Sequence, residues 1–213
     1  MTVDPIEHFP RVLTALRTFS LLLVSDRAFP NVATLITGEN LSGSWWSHPL
    51  AHTIFGVNEM LGDHRDVLIT KLVDGKITFV HRKLWTQVHA VGMAREAWQM
   101  NGLSRAAKTL LKRVEKETNL ETEGLGSIGG KKPGDVAREL ESRLLIHTEQ
   151  VHTKSGAHAK RIETWDGWAK RVRFEDRGAD QKAAKLLLEK RVGKLNKMFD
   201  ADAKLPWQAL HKK

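Results

Sequence analysis

The side chains that come closest to a hydrolytic pair lie in a β-rich run near residue 150. Gln150 and His152 are two positions apart, and because side chains alternate along a strand, both would project from one face. An amide and an imidazole in that arrangement can hold and polarise a water molecule. A row of polar side chains on a strand is more often only its solvated face, so both interpretations stay open.

Histidine is the other residue type here that suggests chemistry, since it is the commonest transition-metal ligand. His147, His152 and His158 would be neighbours if their segment folds as a hairpin, but their spacing matches no standard metal motif. His81 and His89 are interpreted as packing or capping residues. The chain contains no cysteine, which excludes disulfides, thiolate zinc sites and cysteine nucleophiles. We therefore predict no metal and no cofactor.

Basic residues are concentrated at the C-terminal end of this chain of 213 residues and net charge +9. Residues 1–150 contain 18 Lys+Arg against 17 Asp+Glu, whereas residues 151–213 contain 16 against 8. A neutral body with a basic end favours a polyanionic partner, because each neutralised phosphate releases condensed counterions. A solvated basic helix without a partner is the alternative. The candidate phosphate contacts are six cations, namely Lys154, Lys160, Arg161, Lys170, Arg171 and Arg173.

Two adjacent tryptophans form a further candidate contact with nucleic acid. Trp45 and Trp46 are flanked by Ser44, Ser47 and His48. Their rings are suited to stacking on bases or to wedging between base pairs, which is worth about 1–3 kcal/mol per base. In the alternative interpretation, one ring belongs to the core and the other shields it, because large aromatic side chains dominate core burial.

Helical periodicity and capping signals place these residues on a mainly helical chain. Asp4 with Pro5 starts the first helix, and Ser104 and Thr164 are later N-caps. Residues 21–24 are either the end of the first helix or a short buried extended segment. The other predicted helices cover residues 31–37, 49–61, 83–100, 105–118, 135–144, 165–171 and 180–199.

Two β-hairpins interrupt the helices. Residues 67–73 and 76–81 flank Asp74 and Gly75, and this dipeptide is the strongest short-range hairpin signal because the tight turn needs positive φ at both positions. Residues 145–153 and 158–163 predict a second hairpin with poorer alternation.

A glycine-rich segment separates the two halves. Residues 119–134 contain few apolar side chains and lack a phosphate-binding loop motif. We predict an N-terminal module over 1–118, a loop or linker over 119–134, and a second module over 135–213 that ends in a basic helix.

A helix, a hairpin and a further helix that begins at a tryptophan occur twice, reaching Trp85 and Trp165. This repeated unit is typical of winged-helix modules, in which the hairpin is the wing. The predicted fold is mainly α with two small antiparallel β-hairpins, arranged as tandem winged-helix modules.

Residues 46–61, 71–80 and the Leu84-Trp85 pair resemble the helix, hairpin and following helix of proteins related to the AlkZ DNA glycosylases. Residues 137–165 are similar in layout to the further winged-helix unit of that family. The resemblance implies tandem winged helices and removal of alkylated bases. The family positions its attacking water with a Gln-x-Gln or Gln-x-Asp pair, and this chain contains neither tripeptide. The active-site residues of the family are therefore not transferred.

These observations predict a protein that binds double-stranded DNA through phosphate contacts, with damaged or distorted duplex as a candidate target. Two alternatives stay open: a DNA glycosylase, and a regulatory module whose basic helix binds an acidic partner. No run approaches 18 apolar residues and the N-terminus lacks a basic leader. We therefore expect a cytoplasmic protein without membrane contact.

Overall fold

The computed structural model describes residues 4–117, 120–152, 158–176 and 178–209, without the side chains of His152 and His158. In these residues the fold is mainly helical with two three-stranded antiparallel sheets. The predicted combination of helices and small antiparallel β-structure is therefore confirmed. The chain divides into two compact units: unit 1 contains Met1–Trp85 with Leu186–Ala209, and unit 2 contains Thr86–Lys185.

Unit 1 packs helices on one sheet. Its first elements are α1 (Pro5–Phe19), β1 (Leu21–Leu23), α2 (Val32–Thr37), α3 (Ala51–Gly62), β2 (Val67–Val73) and β3 (Lys76–His81). The Asp4 carboxylate caps α1 by accepting a hydrogen bond from the Ile6 N–H at 2.9 Å. Asn31 caps α2 through the Thr34 N–H at 2.9 Å. Both caps satisfy backbone donors that a helix N-terminus leaves unpaired.

The sheet of unit 1 has the strand order β1–β3–β2. Asp74 and Gly75 have φ values of 51° and 66°, which confirms the predicted tight turn. The tip of this hairpin is hydrogen-bonded to the C-terminal part of unit 1, because the Asp74 N–H donates to the Lys204 carbonyl at 2.8 Å. The Lys204 N–H donates in return to Asp74 Oδ1 at 2.9 Å. The core beneath the sheet includes Val12, Leu16, Ile54, Val57 and Phe79.

Unit 2 repeats the same strand arrangement. Its elements are α4 (Trp85–Met93, starting at the last residue of unit 1), α5 (Ala97–Met100), α6 (Arg105–Lys116), β4 (Leu120–Glu121), α7 (Pro133–Glu141), β5 (His147–His152), β6 (His158–Glu163) and α8 (Trp165–Arg171). The strand order is β4–β6–β5. In both units a short strand that precedes the hairpin joins it as a third strand.

The predicted helix over 83–100 is two helices. The chain breaks between α4 and α5 at Arg95, whose φ is 51°. Gly92 lies within α4 and does not break the helix. A Cβ at this position would overlap the indole of Trp165. Its missing side chain therefore permits a close approach between α4 and α8.

The glycine-rich segment is part of unit 2, which differs from the predicted boundary at 119–134. Leu125 and Ile128 are buried in the same core as Leu110 of α6 and Leu140 of α7. Glycines in the segment permit the turns that return these apolar side chains to the core. The chain instead divides between Trp85 and Thr86.

The C-terminal part consists of α9 (Gln181–Phe199) and α10 (Pro206–Ala209). The Asp180 carboxylate accepts a hydrogen bond from the Ala183 N–H at 2.8 Å, which fixes the start of α9. Leu188, Val192 and Leu195 form a buried stripe along α9. None of the helices in the described ranges is long and apolar enough to cross a membrane.

Candidate nucleic-acid interface

The cations predicted on the second hairpin project from opposite faces of its sheet. Lys160 Nζ lies 3.3 Å from a carboxylate oxygen of Glu141, on α7. Arg161 Nη1 lies 3.0 Å from Glu149 on the other face, as expected for neighbouring residues of one strand. The two side chains therefore do not belong to a common phosphate-binding surface of this sheet.

Arg171 holds a buried carboxylate. Its Nη2 lies 2.7 Å and its Nε 3.1 Å from the two oxygens of Glu163, whose residue is 2% exposed. His147 Nδ1 is 2.9 Å from the same carboxylate. Burial alone would raise the pKa of Glu163, but the hydrogen bonds from His147 and Arg171 outweigh it and lower the pKa to about 2. Arg171 Nη2 also lies 3.0 Å from Glu149. The guanidinium therefore pairs with two carboxylates of unit 2 and is not a free phosphate contact.

The remaining predicted cations differ in their availability. Lys170 and Arg173 are exposed, and within the described part of the chain neither has an acidic partner in ion-pair range. Lys154 lies outside the described residues. Two of the six predicted phosphate contacts are thus free side chains at and just after the end of α8.

Gln150 is exposed on β5, directly across the strand pair from Lys160. The side chain of His152 lies outside the described residues, as does that of His158, so the predicted water-holding pair has no described geometry. His147 already uses Nδ1 for Glu163. Among the described side chains, no group of three or more His, Asp and Glu residues could hold a metal ion.

A second group of cations surrounds the start of α7. These cations were not among the phosphate contacts predicted from the sequence. Lys131, Lys132 and Arg138 are exposed there, and Arg138 has only a helical i,i+3 pair with Asp135 at 3.6 Å. The sequence signal was the Lys-Lys doublet before Pro133, a helix start that precedes a hairpin. A cleft of about 360 Å³ lies beside it, lined by Ser104, Arg105, Ala106, Thr109, Gly129 and Lys131.

Glu139 fixes α7 against the start of α6. Its two carboxylate oxygens accept hydrogen bonds from the Ser104 N–H at 2.8 Å and the Ser104 hydroxyl at 2.7 Å. Burial opposes ionisation, but these hydrogen bonds outweigh it and hold the pKa of Glu139 below its ordinary value. Gly129 and Gly130 form a tight turn with φ of 58° and 79°, which places Lys131 at the cleft.

The helix of unit 1 that corresponds to α7 has a different surface. No Lys or Arg occurs in α3, and its exposed side carries Phe55, which lies 5.7 Å from the Trp46 ring. Trp45 packs against the core of unit 1 and stacks on Trp46 with ring centroids 4.0 Å apart. This geometry favours the interpretation that one tryptophan belongs to the core and the other covers it, although Trp46 stays 57% exposed.

His81 has the capping role that the sequence predicts. His81 Nδ1 accepts a hydrogen bond from the Lys83 N–H at 3.3 Å. Burial and the nearby Lys83 charge lower the pKa of His81, which favours the neutral ring that can accept. His89 is buried, with its ring 5.7 Å from that of Phe174.

No protein-family model matches the chain, and no curated protein or solved structure matches it significantly either. The resemblance to the AlkZ-related glycosylases therefore stays a prediction.

Proposed function

We propose that the protein consists of two winged-helix modules and binds double-stranded DNA through unit 2. Both units support the first part, since each has a helix, a short strand and a hairpin, with the short strand beside the last one. Two helices, α2 and α3, lie between the short strand and the hairpin in unit 1, and α7 alone does so in unit 2. In both, the tryptophan after the hairpin donates its indole N–H to a backbone carbonyl. Trp85 donates to Val80 at 3.1 Å and Trp165 to Leu144 at 2.7 Å.

The basic start of α7 carries the proposal. A winged helix reads DNA with the helix that precedes the hairpin, and phosphate contacts from its surroundings hold that helix in the major groove. In unit 2 this helix is α7, which is preceded by the exposed Lys131 and Lys132 and displays Arg138. In unit 1 it is α3, which has no cation.

Two further observations favour unit 2 over unit 1. Thr86–Lys185 contains 19 Lys+Arg against 14 Asp+Glu, an excess suited to a phosphate backbone. The hairpin tip of unit 1 is covered by its hydrogen bonds with Lys204, so that wing is engaged within its own unit. Arg105 and Lys131 line the cleft, which supports a phosphate contact there because both side chains carry positive charge.

Salt-dependent binding to a fluorescent duplex tests the proposal. Each phosphate contact that is lost should reduce the slope of log affinity against log salt by about 1. Lys131→Gln with Lys132→Gln should therefore reduce the slope by about 2 and weaken binding to all sequences alike. The matched control, Arg11→Gln with Arg27→Gln, removes the same charge from exposed positions of unit 1 and should leave the slope close to that of the native protein.

Equal effects of the two double variants would contradict an interface at α7 and would indicate that only net charge matters. An affinity that does not change with salt concentration would contradict phosphate contacts altogether. Lys170→Gln with Arg173→Gln extends the test to the free cations of α8. Plain and mismatched duplexes in parallel show whether distortion is recognised, and analysis of the products in the same tubes reports base excision.

A further inference from the structure

Unit 1 exposes an aromatic surface that its own fold leaves uncovered. Trp46 is 57% and Phe55 43% exposed, and their rings are 5.7 Å apart. Phe55 and Glu59 are one helical turn apart on α3, and both are exposed. We call Trp46, Phe55 and Glu59 the aromatic face. Its charge is acidic, because α3 contains no Lys or Arg and Asp63 directly follows it.

The same unit exposes a second apolar surface with the opposite charge. On α9, Leu186 is 66% and Met198 55% exposed. The cations between them, Lys190, Lys194 and Lys197, are exposed as well. We call these five residues the basic face. In the described ranges these lysines have no acidic partner within ion-pair distance.

Residues 186–199 contain one acid against four Lys and Arg, so this part of α9 keeps a net positive charge. Glu189 accepts a hydrogen bond from the Trp207 indole N–H at 2.6 Å, so its carboxylate is held by α10. The basic face therefore combines large apolar side chains with unbalanced positive charge. Such a surface favours an apolar partner surface of negative charge, because complementary charge both attracts the right partner and disfavours others.

We infer that the aromatic face of one chain binds the basic face of a second copy. Both faces are exposed in unit 1, so the described residues of that unit cover neither of them. Each contributes exposed apolar side chains of the kind that enrich interface cores, aromatic residues and Met above all. The acidic side chain on one matches the lysines on the other.

The two faces differ, so the contact is heterologous. A copy whose basic face is occupied still presents its aromatic face to a further copy, and the association continues head to tail. The inference does not depend on DNA binding, and its test contains no DNA.

Sedimentation velocity of the full chain between about 1 μM and about 1 mM measures the association. We expect an average mass that rises with concentration. Raising the salt from about 0.05 M to about 0.5 M should weaken the association, since exposed charge pairs are screened. Trp46→Ser with Phe55→Ser disables the aromatic face, and Leu186→Ser with Lys194→Glu disables the basic face. Each variant alone should be monomeric.

An equimolar mixture of the two variants gives the decisive result. Each still has one intact face, so the mixture should form a dimer and stop there. The matched control Ile77→Ser removes an exposed apolar side chain of unit 1 outside both faces and should associate like the native chain. Circular dichroism verifies that each variant is folded. If a variant is unfolded, the single changes Glu59→Lys and Lys194→Glu replace the pairs, each weakening association about tenfold and their mixture recovering it.

A native chain that stays monomeric over the whole range would overturn the inference, as would a mixture of variants that stays monomeric while the native chain associates. Loss of association in Ile77→Ser would assign the contact to another surface. Vesicles with and without anionic lipid form a last arm. If the basic-face variant associates normally but no longer binds anionic vesicles, the basic face belongs to a lipid surface and the inference is wrong.

Discussion

The buried carboxylate of Glu163 makes a large and pH-dependent contribution to the stability of unit 2. Its pKa falls from 4.5 to about 2 in the folded protein. A tenfold change in proton affinity corresponds to about 1.4 kcal/mol, so the ionised carboxylate stabilises the folded state by about 3 kcal/mol. Glu163→Gln keeps the shape of the side chain and removes the charge that Arg171 and His147 share. Near neutral pH we expect the free energy of unfolding to fall by about 3 kcal/mol.

The pH dependence gives this prediction its sign. Because the folded state lowers the pKa of Glu163, the stabilisation is complete above about pH 4.5 and is lost as the pH falls toward 2. The native protein and Glu163→Gln should therefore differ by about 3 kcal/mol at neutral pH, and the difference should shrink steadily below pH 4.5.

Urea denaturation followed by tryptophan fluorescence measures both quantities, since Trp165 and Trp168 lie beside His147 with ring centroids 5.7 and 5.9 Å away. Glu149→Gln is the control: it removes the same charge, but the Glu149 side chain is 37% exposed, and its loss should cost less than about 1 kcal/mol. A difference between the native protein and Glu163→Gln that stays constant from neutral pH to about pH 3 would refute the argument.

Three further predictions concern two glycine contacts, the hairpin turn of unit 1 and base excision. Gly92→Ala should lower the free energy of unfolding by about 1–3 kcal/mol, because the new Cβ overlaps the indole of Trp165. Gly193→Ala on α9 should raise it by about 0.5–1 kcal/mol, since its Cβ would meet nothing within 4 Å. Urea denaturation of both variants measures these two changes. Gly75→Val should cost about 1 kcal/mol or more, because a β-branched residue resists the φ of 66°, and an unchanged melting temperature would argue against it. We expect no release of alkylated purines in a base-excision assay. Release that survives both Gln150→Ala and His152→Ala would contradict the predicted absence of activity and would also exclude these two residues as the water-holding pair.

Local signals in the sequence were enough to place most helices. Asp4, Ser104 and Thr164 each accept a hydrogen bond from the first turn of the helix they were predicted to cap. The Asp74-Gly75 turn is equally local, because its two positive φ values depend on the residues of the turn itself. Such features involve neighbours within a few residues, which a single sequence displays directly.

Pairings between distant segments were beyond such signals. Leu21–Leu23 becomes β1 because it pairs with β3, and its Leu22 lies opposite Phe79. Leu120–Glu121 becomes β4 by pairing with β6, although a glycine-rich segment follows it. A short apolar run has the same appearance whether it ends a helix or joins a sheet, so the partner strand decides.

The same limit explains what the charge count left open. It located the basic end of the chain, but it could not show that Lys160 contacts Glu141 and Arg161 contacts Glu149. These pairs depend on how α7 and β5 pack against β6. Arg171 pairs with Glu163 because α8 packs beside β6. Lys131 and Lys132 were not predicted as phosphate contacts, because the glycine-rich segment around them suggested a linker. In the structure they directly precede α7.

The two units share one strand arrangement but expose different side chains. In unit 1, Asp74 adopts the positive φ of the hairpin turn and also accepts the Lys204 N–H, while Lys76 of the same hairpin is 2.5 Å from Asp26. The tip and the nearest cation of this hairpin are thus used inside the unit. We propose that phosphate contacts are made instead by the exposed cations around α7 in unit 2. The aromatic and basic faces of unit 1 are exposed, and we propose that unit 1 links neighbouring chains through them while unit 2 binds a duplex.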